Sequence, residues 1–152
     1  MYWGKILHID VTNRKTHVQH VDEDFLKKYV GGVAMAARLA YDNIPKGSDP
    51  LGPENAVCFA NSAFAGTMVP VGTKYAVAHK SPLTGFLGDC LAGSYFSAAM
   101  KRAGYDGIVI KGKSDHPIWI FVDDDMVYFN DATDLMGLET FPTEEAIRAN
   151  VG

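Results

Sequence analysis

Between Gly66 and Gly93 the chain concentrates residue types that can hold an anion. Gly66-Thr67, Val71-Gly72-Thr73-Lys74, Lys80-Ser81-Pro82-Leu83-Thr84-Gly85 and Gly88-Asp89-Cys90-Leu91-Ala92-Gly93-Ser94 follow in close succession. Glycines let backbone N–H groups converge on one point. Lys74 adds positive charge, and a helix starting at Ser94 adds its dipole. A phosphate-bearing ligand suits that chemistry. Neither GxxxxGK followed by Ser or Thr nor GxGxxG is present. Taken alone, the residues are read more simply as glycine-rich connections between strands.

Other reactive residue types offer less. Lys80-Ser81-Pro82 holds a lysine and a serine but no histidine placed as their base, so it reads as a turn before Pro82. His79 reads as an ordinary strand histidine. His8, His17, His20 and His116 form no HxxxH pair and no Cys/His cluster, and His17 and His20 fall on opposite faces of a strand. No histidine metal site is therefore expected. Asp123-Asp124-Asp125 lacks the spaced oxygens and distal glutamate of an EF-hand and reads as a hairpin tip. Cys58 and Cys90 are far apart, too few for a self-contained thiolate zinc or iron–sulfur site. Cys90 is expected as a small packing residue, and Trp3, Trp119, Tyr95 and Phe96 as core aromatics.

The elements that must carry these residues follow from periodicity. Lys5 to Asp10 alternates as a strand, with Ile6 and His8 on one face and Leu7 and Ile9 on the other. Thr16 to Val21 returns beside it after a turn at Val11 to Arg14. Asp22-Glu23-Asp24 opens a short helix that Gly31-Gly32 interrupts, and Val33 to Asp42 forms a second helix. Pro45 to Asn55 is a turn-rich loop. Strands are expected at Val57–Ala60, Lys74–His79, Ile108–Ile110, Pro117–Val122 and Met126–Asn130. Helices are expected from Ser94 to Ala103 and from about Thr143 to Asn150. Hairpins mixed with helices, without regular alternation, predict an α+β fold of mixed β-sheets rather than a doubly wound one.

The 152 residues suffice for one domain and its core, and 47% apolar with 21% charged residues disfavours a disordered chain. A net charge of −4 argues against nucleic-acid binding. No apolar run is long enough to span a membrane, and no signal region opens the sequence, so a cytoplasmic protein with reduced thiols is expected.

The glycine blocks also carry a resemblance. Trp3-Gly4-Lys5-Ile6-Leu7 with Ile9-Asp10-Val11-Thr12, then Val30-Gly31-Gly32, Ala37-Arg38-Leu39 and Pro50-Leu51-Gly52-Pro53-Glu54-Asn55, occur in the order found in the N-terminal domain of the aldehyde ferredoxin oxidoreductase family. Gly72-Thr73-Lys74, Lys80-Ser81-Pro82-Leu83-Thr84-Gly85, Ala103-Gly104-Tyr105-Asp106-Gly107 and Lys111-Gly112-Lys113 continue it along nearly the whole chain. The resemblance implies that residues 1–152 are one domain, the N-terminal part of a larger pterin-binding unit whose remainder lies outside this chain. It implies a tungsten or molybdenum bis-pterin whose phosphates are bridged by magnesium. It also implies a [4Fe–4S] cluster with ligands elsewhere in the enzyme, and oxidation of small aldehydes to carboxylic acids with ferredoxin as acceptor.

By the same resemblance Lys74 is a pterin-contacting position. Leu91 stands where the family commonly has asparagine, and its backbone carbonyl would face magnesium. Gly93 is the glycine two residues on, and Gly88, Asp89 and Ser94 would shape the loop. Gly31-Gly32-Val33-Ala34 departs from the usual Gly-Gly-Arg-Gly, and Asn61-Ser62-Ala63 from a usual Gly-Pro pairing. The chain alone is expected to be inactive. It is also expected to expose a face that it buries in the whole enzyme, and so to form a homodimer through sheet edges or apolar faces. A stand-alone pterin- or phosphate-binding or interaction module is the other reading.

Overall fold

The computed structural model describes residues 2–151. Six strands form one sheet: β1 (Lys5–Asp10), β2 (Lys15–His20), β3 (Ala56–Asn61), β4 (Tyr75–Lys80), β5 (Leu87–Ala92) and β6 (Gly107–Lys111). Their order is β2-β1-β6-β3-β4-β5. Only β1 and β6 run parallel; the other neighbours are antiparallel. A separate hairpin joins β7 (Ile118–Asp123) to β8 (Met126–Asp131). The helices are α1 (Glu23–Tyr29), α2 (Gly32–Asn43), α3 (Tyr95–Arg102) and α4 (Thr140–Val151). The architecture is the expected α+β mixture.

Both faces of the sheet's centre are covered, and the alternation of β1 shows how. Ile6 joins the layer under α2, where Met35, Ala36, Leu39 and Ala40 meet Ala56, Cys58, Ala60, Ala76 and Ala78. The strand side chains here are small, so the helix can lie close to the sheet. Leu7 and Ile9 point the other way, into a layer with Met100, Tyr105 and Ile108. The inner face of the β7–β8 hairpin closes that layer with Ile120, Val122, Val127 and Phe129. Tyr105 donates its hydroxyl proton to the Asp124 carbonyl at 3.0 Å, holding the hairpin tip down.

Several boundaries follow from local chemistry. Asp22 caps α1 by accepting from the Phe25 amide at 2.8 Å. Between α1 and α2 the chain presses against the end of β3. A Cβ on Gly31 would lie 2.5 Å from the Asn61 carbonyl oxygen, and its φ of +151° disfavours any side chain. The last helix begins at Thr140, one turn before the expected Thr143, because Pro142 sits in the first turn, where no intrahelical N–H bond is needed.

The main departure is β5. Gly88 to Ala92 were expected as a glycine-rich loop and instead form the edge strand, paired with β4 from Leu87↔Lys80 to Ala92↔Tyr75. Its exposure hides the alternation by which strands are recognised, since Leu87, Asp89, Cys90 and Leu91 are all exposed. Three aromatics expected in the core are also largely outside it: Trp3 is 50% exposed, Phe96 41% and Tyr95 93%. Trp119 is half-buried. Cys90 is exposed rather than packed.

Candidate functional site

The open end of the β4–β5 ladder gathers most of the anion-suited residues. Lys74 immediately precedes β4, and Gly93 and Ser94 immediately follow β5. Leu91 opposes Ala76 and Asp89 opposes Ala78, so both stand on the face that carries α2. They lie beyond the helix itself and are exposed, Leu91 by 62%. Lys74 is exposed, and its ammonium has no partner among the described residues. Ser94 caps α3 by accepting from the Phe96 amide at 3.1 Å, and the positive end of that helix therefore opens here.

Behind this edge lies a buried polar brace that the motifs did not reveal. Ser97, in the first turn of α3, is fully buried. Its Oγ is 2.8 Å from Asn61 Oδ1 and 3.0 Å from the Lys74 carbonyl, so one hydroxyl proton serves both. The Ser62 amide also donates to that carbonyl at 2.8 Å, and Asn61 Nδ2 donates to the Tyr105 carbonyl at 3.4 Å. The backbone of Lys74 is thus fixed from two sides while its side chain stays free. Asn61, the one polar residue of β3, was the sequence signal for this brace; Ser97 on α3 gave none.

A second buried polar group pins the chain's start. Asp106 lies beside Lys101 as an ion pair with both side chains under one-tenth exposed. Its other oxygen accepts from the Trp3 and Gly4 amides, each at 2.7 Å. The Asp106 carbonyl in turn accepts from the Asn61 amide at 2.8 Å, joining this clamp to the brace.

The structure separates Gly88 from the others. It sits at the opposite end of β5, where a Cβ would lie 3.0 Å from His79 Cε1 and 3.3 Å from Ser81 Cβ. Its glycine is explained by strand packing. Gly93 differs: its φ is outside the left-handed region, and a Cβ would make only ordinary contacts, 3.5 Å from the Thr73 carbonyl oxygen and 3.8 Å from Lys74 Cγ. Nothing in the domain itself requires glycine there. The missing side chain leaves open the space shared by Thr73 and Lys74.

A cleft of about 520 Å³ adjoins this edge, lined by Gly66, Thr67, Thr73, Ser94, Tyr95 and Arg102. Tyr95 in its lining is 93% exposed, and Phe64, Met68, Val71 and Leu91, on the chain segments leading to it, are each more than half exposed. The donor set fits a phosphate-bearing planar cofactor: a free ammonium, an exposed helix N-terminus, a glycine with vacant space and an apolar rim. β5 is also an edge strand, so half of its carbonyls have no strand partner and can face a cation. A larger groove, about 1130 Å³ beside Tyr41, Ile44, Phe86 and Leu87, offers volume without such convergence.

The remaining candidates resolve as structure. The Lys80 ammonium donates to the Ser48 carbonyl at 2.6 Å, and Ser81 to Gly85 closes a turn with a 2.8 Å bond. Asp124-Asp125 is the hairpin tip. Burial pushes the Cys58 thiol up to about 12, so it stays protonated and inert. Among the described residues no helix is long and apolar enough to cross a membrane, and no group of three or more His, Cys, Asp or Glu could hold a metal ion.

Comparison with known proteins gives a consistent result. The family model described as aldehyde ferredoxin oxidoreductase, N-terminal domain, matches residues 6–152. The tungsten-containing aldehyde ferredoxin oxidoreductase of Pyrococcus abyssi is 37% identical over 151 residues, covering 99% of this chain and 25% of the relative. The aliphatic sulfonate oxidoreductase, WOR-like subunit, of Pyrococcus furiosus is 34% identical over 141 residues, covering 90% of this chain and 22% of the relative. A solved structure, the active-site complex BamBC of benzoyl coenzyme A reductase with 1,5-dienoyl-CoA, superposes with a TM-score of 0.93 at 28% identity. It covers 99% of this chain and 23% of that one. The chain thus spans about a quarter of the length of these relatives.

Proposed function

The chain belongs to the aldehyde ferredoxin oxidoreductase family, and from that membership we propose that it forms one side of the bis-pterin cradle in a tungsten- or molybdenum-dependent oxidoreductase. The observation that carries this reading is the convergence of Lys74, Leu91 and Gly93 at the open end of β4 and β5, around space that the fold leaves vacant. Lys74 would neutralise pterin phosphate through its free ammonium. Gly93 would let the ligand approach the backbone, and Ser94 would present the N-terminus of α3. Leu91 would offer its main-chain carbonyl to magnesium, an interaction that does not depend on the side chain. Asp89, exposed on the same face, would lie beside the ion. Gly88 stands at the other end of β5, opposite His79, and would reach this site only through the strand.

When bound, the metal–pterin group would supply two-electron redox chemistry at low potential. The residues described here bind and orient; none is placed to move a proton or act as a nucleophile, so no activity is expected from these 152 residues alone. In the whole protein we propose oxidation of an aldehyde to a carboxylic acid, with electrons passing through a [4Fe–4S] cluster to ferredoxin. The greater identity to relatives named for aldehydes favours that substrate over a sulfonate. The partners are then the remaining domains of the same enzyme and its electron acceptor. The working place is the cytoplasm.

The test is cofactor content. Native full-length protein should contain tungsten or molybdenum and pterin. Lys74→Gln and Gly93→Val should lose most of both while retaining the native circular dichroism spectrum. Full occupancy in both variants would refute the assigned cradle. Absence of metal and pterin from protein expressed with both metals available would favour a non-catalytic module.

A further inference from the structure

The two strands farthest from the cradle bring together a pair of residues that sequence spacing keeps apart. His8 on β1 and His17 on β2 are direct cross-strand partners in the antiparallel register. Their rings stack with centroids 4.5 Å apart and planes 12° from parallel. They line a cleft of about 360 Å³ together with Asp10, which lies two residues along β1 on the same face. We propose that His8 and His17 form a cross-strand chelate for a divalent transition-metal ion of the copper or nickel type, with water completing its coordination.

Two features of the pair support this. The first is distance. With metal–nitrogen bonds of about 2.0–2.1 Å, each ring centroid lies about 3.2 Å from the ion, and a right-angled bite then sets the centroids about 4.5 Å apart. The observed centroid spacing matches that value, but the rings are stacked with their nitrogen lone pairs in nearly parallel planes, so each ring must turn about χ2 before a nitrogen of each can face one ion. A tetrahedral bite needs about 5.2 Å, and the tetragonal preference of Cu²⁺ and Ni²⁺ therefore suits the pair better than that of Zn²⁺.

The second feature is orientation. His8 Nε2 is 2.8 Å from Gln19 Oε1. A carbonyl oxygen only accepts, so Nε2 carries the proton and Nδ1 keeps the free electron pair. Metal-binding histidines characteristically donate their other ring nitrogen in this way. Asp10 brings negative charge to the same cleft, balanced by Lys111 in its lining and Lys15 opposite on β2, and its oxygens are engaged by Asn13 at 2.9 and 2.7 Å. It therefore acts on the ion at a distance rather than as a ligand.

The experiment is calorimetric titration of the purified full-length protein, after chelator treatment, with NiCl₂ and separately with CuCl₂. One equivalent is expected to bind through this pair. His17→Ala should remove that equivalent or weaken it at least tenfold, as should His8→Ala, while His116→Ala leaves it intact. The exposed position of His17 makes its variant safe for folding, checked by circular dichroism. The Cu²⁺ complex should show two nitrogen donors by electron paramagnetic resonance, falling to one in His17→Ala. No saturable binding below millimolar metal would overturn the proposal, and so would titrations unchanged by His17→Ala. The readout is independent of pterin loading, so its failure leaves the cradle untouched.

Discussion

Replacing Asp106 with asparagine tests the clamp that joins the chain's start to the cradle brace. Every polar neighbour of this carboxylate is a donor. Lys101 faces Oδ1, and the Trp3 and Gly4 amides both donate to Oδ2 at 2.7 Å. An amide of the same shape must turn its NH₂ group toward at least one of them. It also leaves the Lys101 ammonium, 8% exposed, without a counter-charge. Removing one partner of a buried pair costs about 3–5 kcal/mol, far more than the 0–1 kcal/mol of a surface pair. For a chain of this size that corresponds to a fall of roughly 6–20 °C in melting temperature. Urea denaturation of Asp106→Asn beside the parent chain measures it. Lys101→Met/Asp106→Asn removes the stranded charge, so the double variant should be more stable than the sum of the single effects by about 1 kcal/mol or more. A loss below about 1 kcal/mol for Asp106→Asn, or strict additivity of the pair, would show that water reaches the site and that the clamp is not a buried one.

The two cysteines should behave oppositely. In the native chain only the exposed Cys90 should react rapidly with a thiol reagent, and Cys58 only on unfolding. Because burial raises the Cys58 pKa to about 12, the native state keeps a proton that the unfolded state releases above about pH 9. Stability should therefore be insensitive to this group below about pH 8. Above about pH 9 it should fall by up to about 1.4 kcal/mol per pH unit, a slope that Cys58→Ala should lack. Gly31→Ala should destabilise by at least about 2 kcal/mol, since its Cβ meets the Asn61 carbonyl at 2.5 Å, while Gly93→Ala should cost less than about 1 kcal/mol. Similar losses for both in chemical denaturation would remove the argument that Gly93 serves a ligand. The 152-residue chain should associate as its concentration rises, through the exposed edge of β5 or the apolar groups around it. A monomer by light scattering across concentration would contradict this.

What the sequence revealed depended on whether a residue's partner was local. β1, α2, α3 and the β7–β8 hairpin were legible because their periodicity or turn residues lie within the element. β5 was not, since an edge strand exposed on both faces has no alternation to read. Family resemblance pointed to Lys74, Leu91 and Gly93, but only the β4–β5 register shows that they meet and that Gly88 does not. Asn61, Ser97 and Asp106 escaped for a related reason. Each looks like an ordinary polar residue until the fold brings a hydrogen-bond partner to it from 36 or more than 100 positions away.

These hidden contacts also explain how the cradle is held. Its exposed residues cannot be positioned by packing, because a ligand must reach them. Lys74 illustrates the solution: the side chain is free while its carbonyl is fixed by Ser97 and Ser62. Ser97 is fixed by Asn61, and Asn61 by the Asp106 backbone, whose side chain holds Trp3 and Gly4. The chain of bonds runs from the first strand to the sheet's far edge through buried polar groups, where an unpaired atom is costly and alternative arrangements are few. It follows that Ser97→Ala, which touches no ligand, should loosen Lys74 and weaken cofactor retention more than it lowers stability. If Ser97→Ala protein holds its pterin as tightly as the parent, Lys74 is positioned by the cofactor and not by the brace.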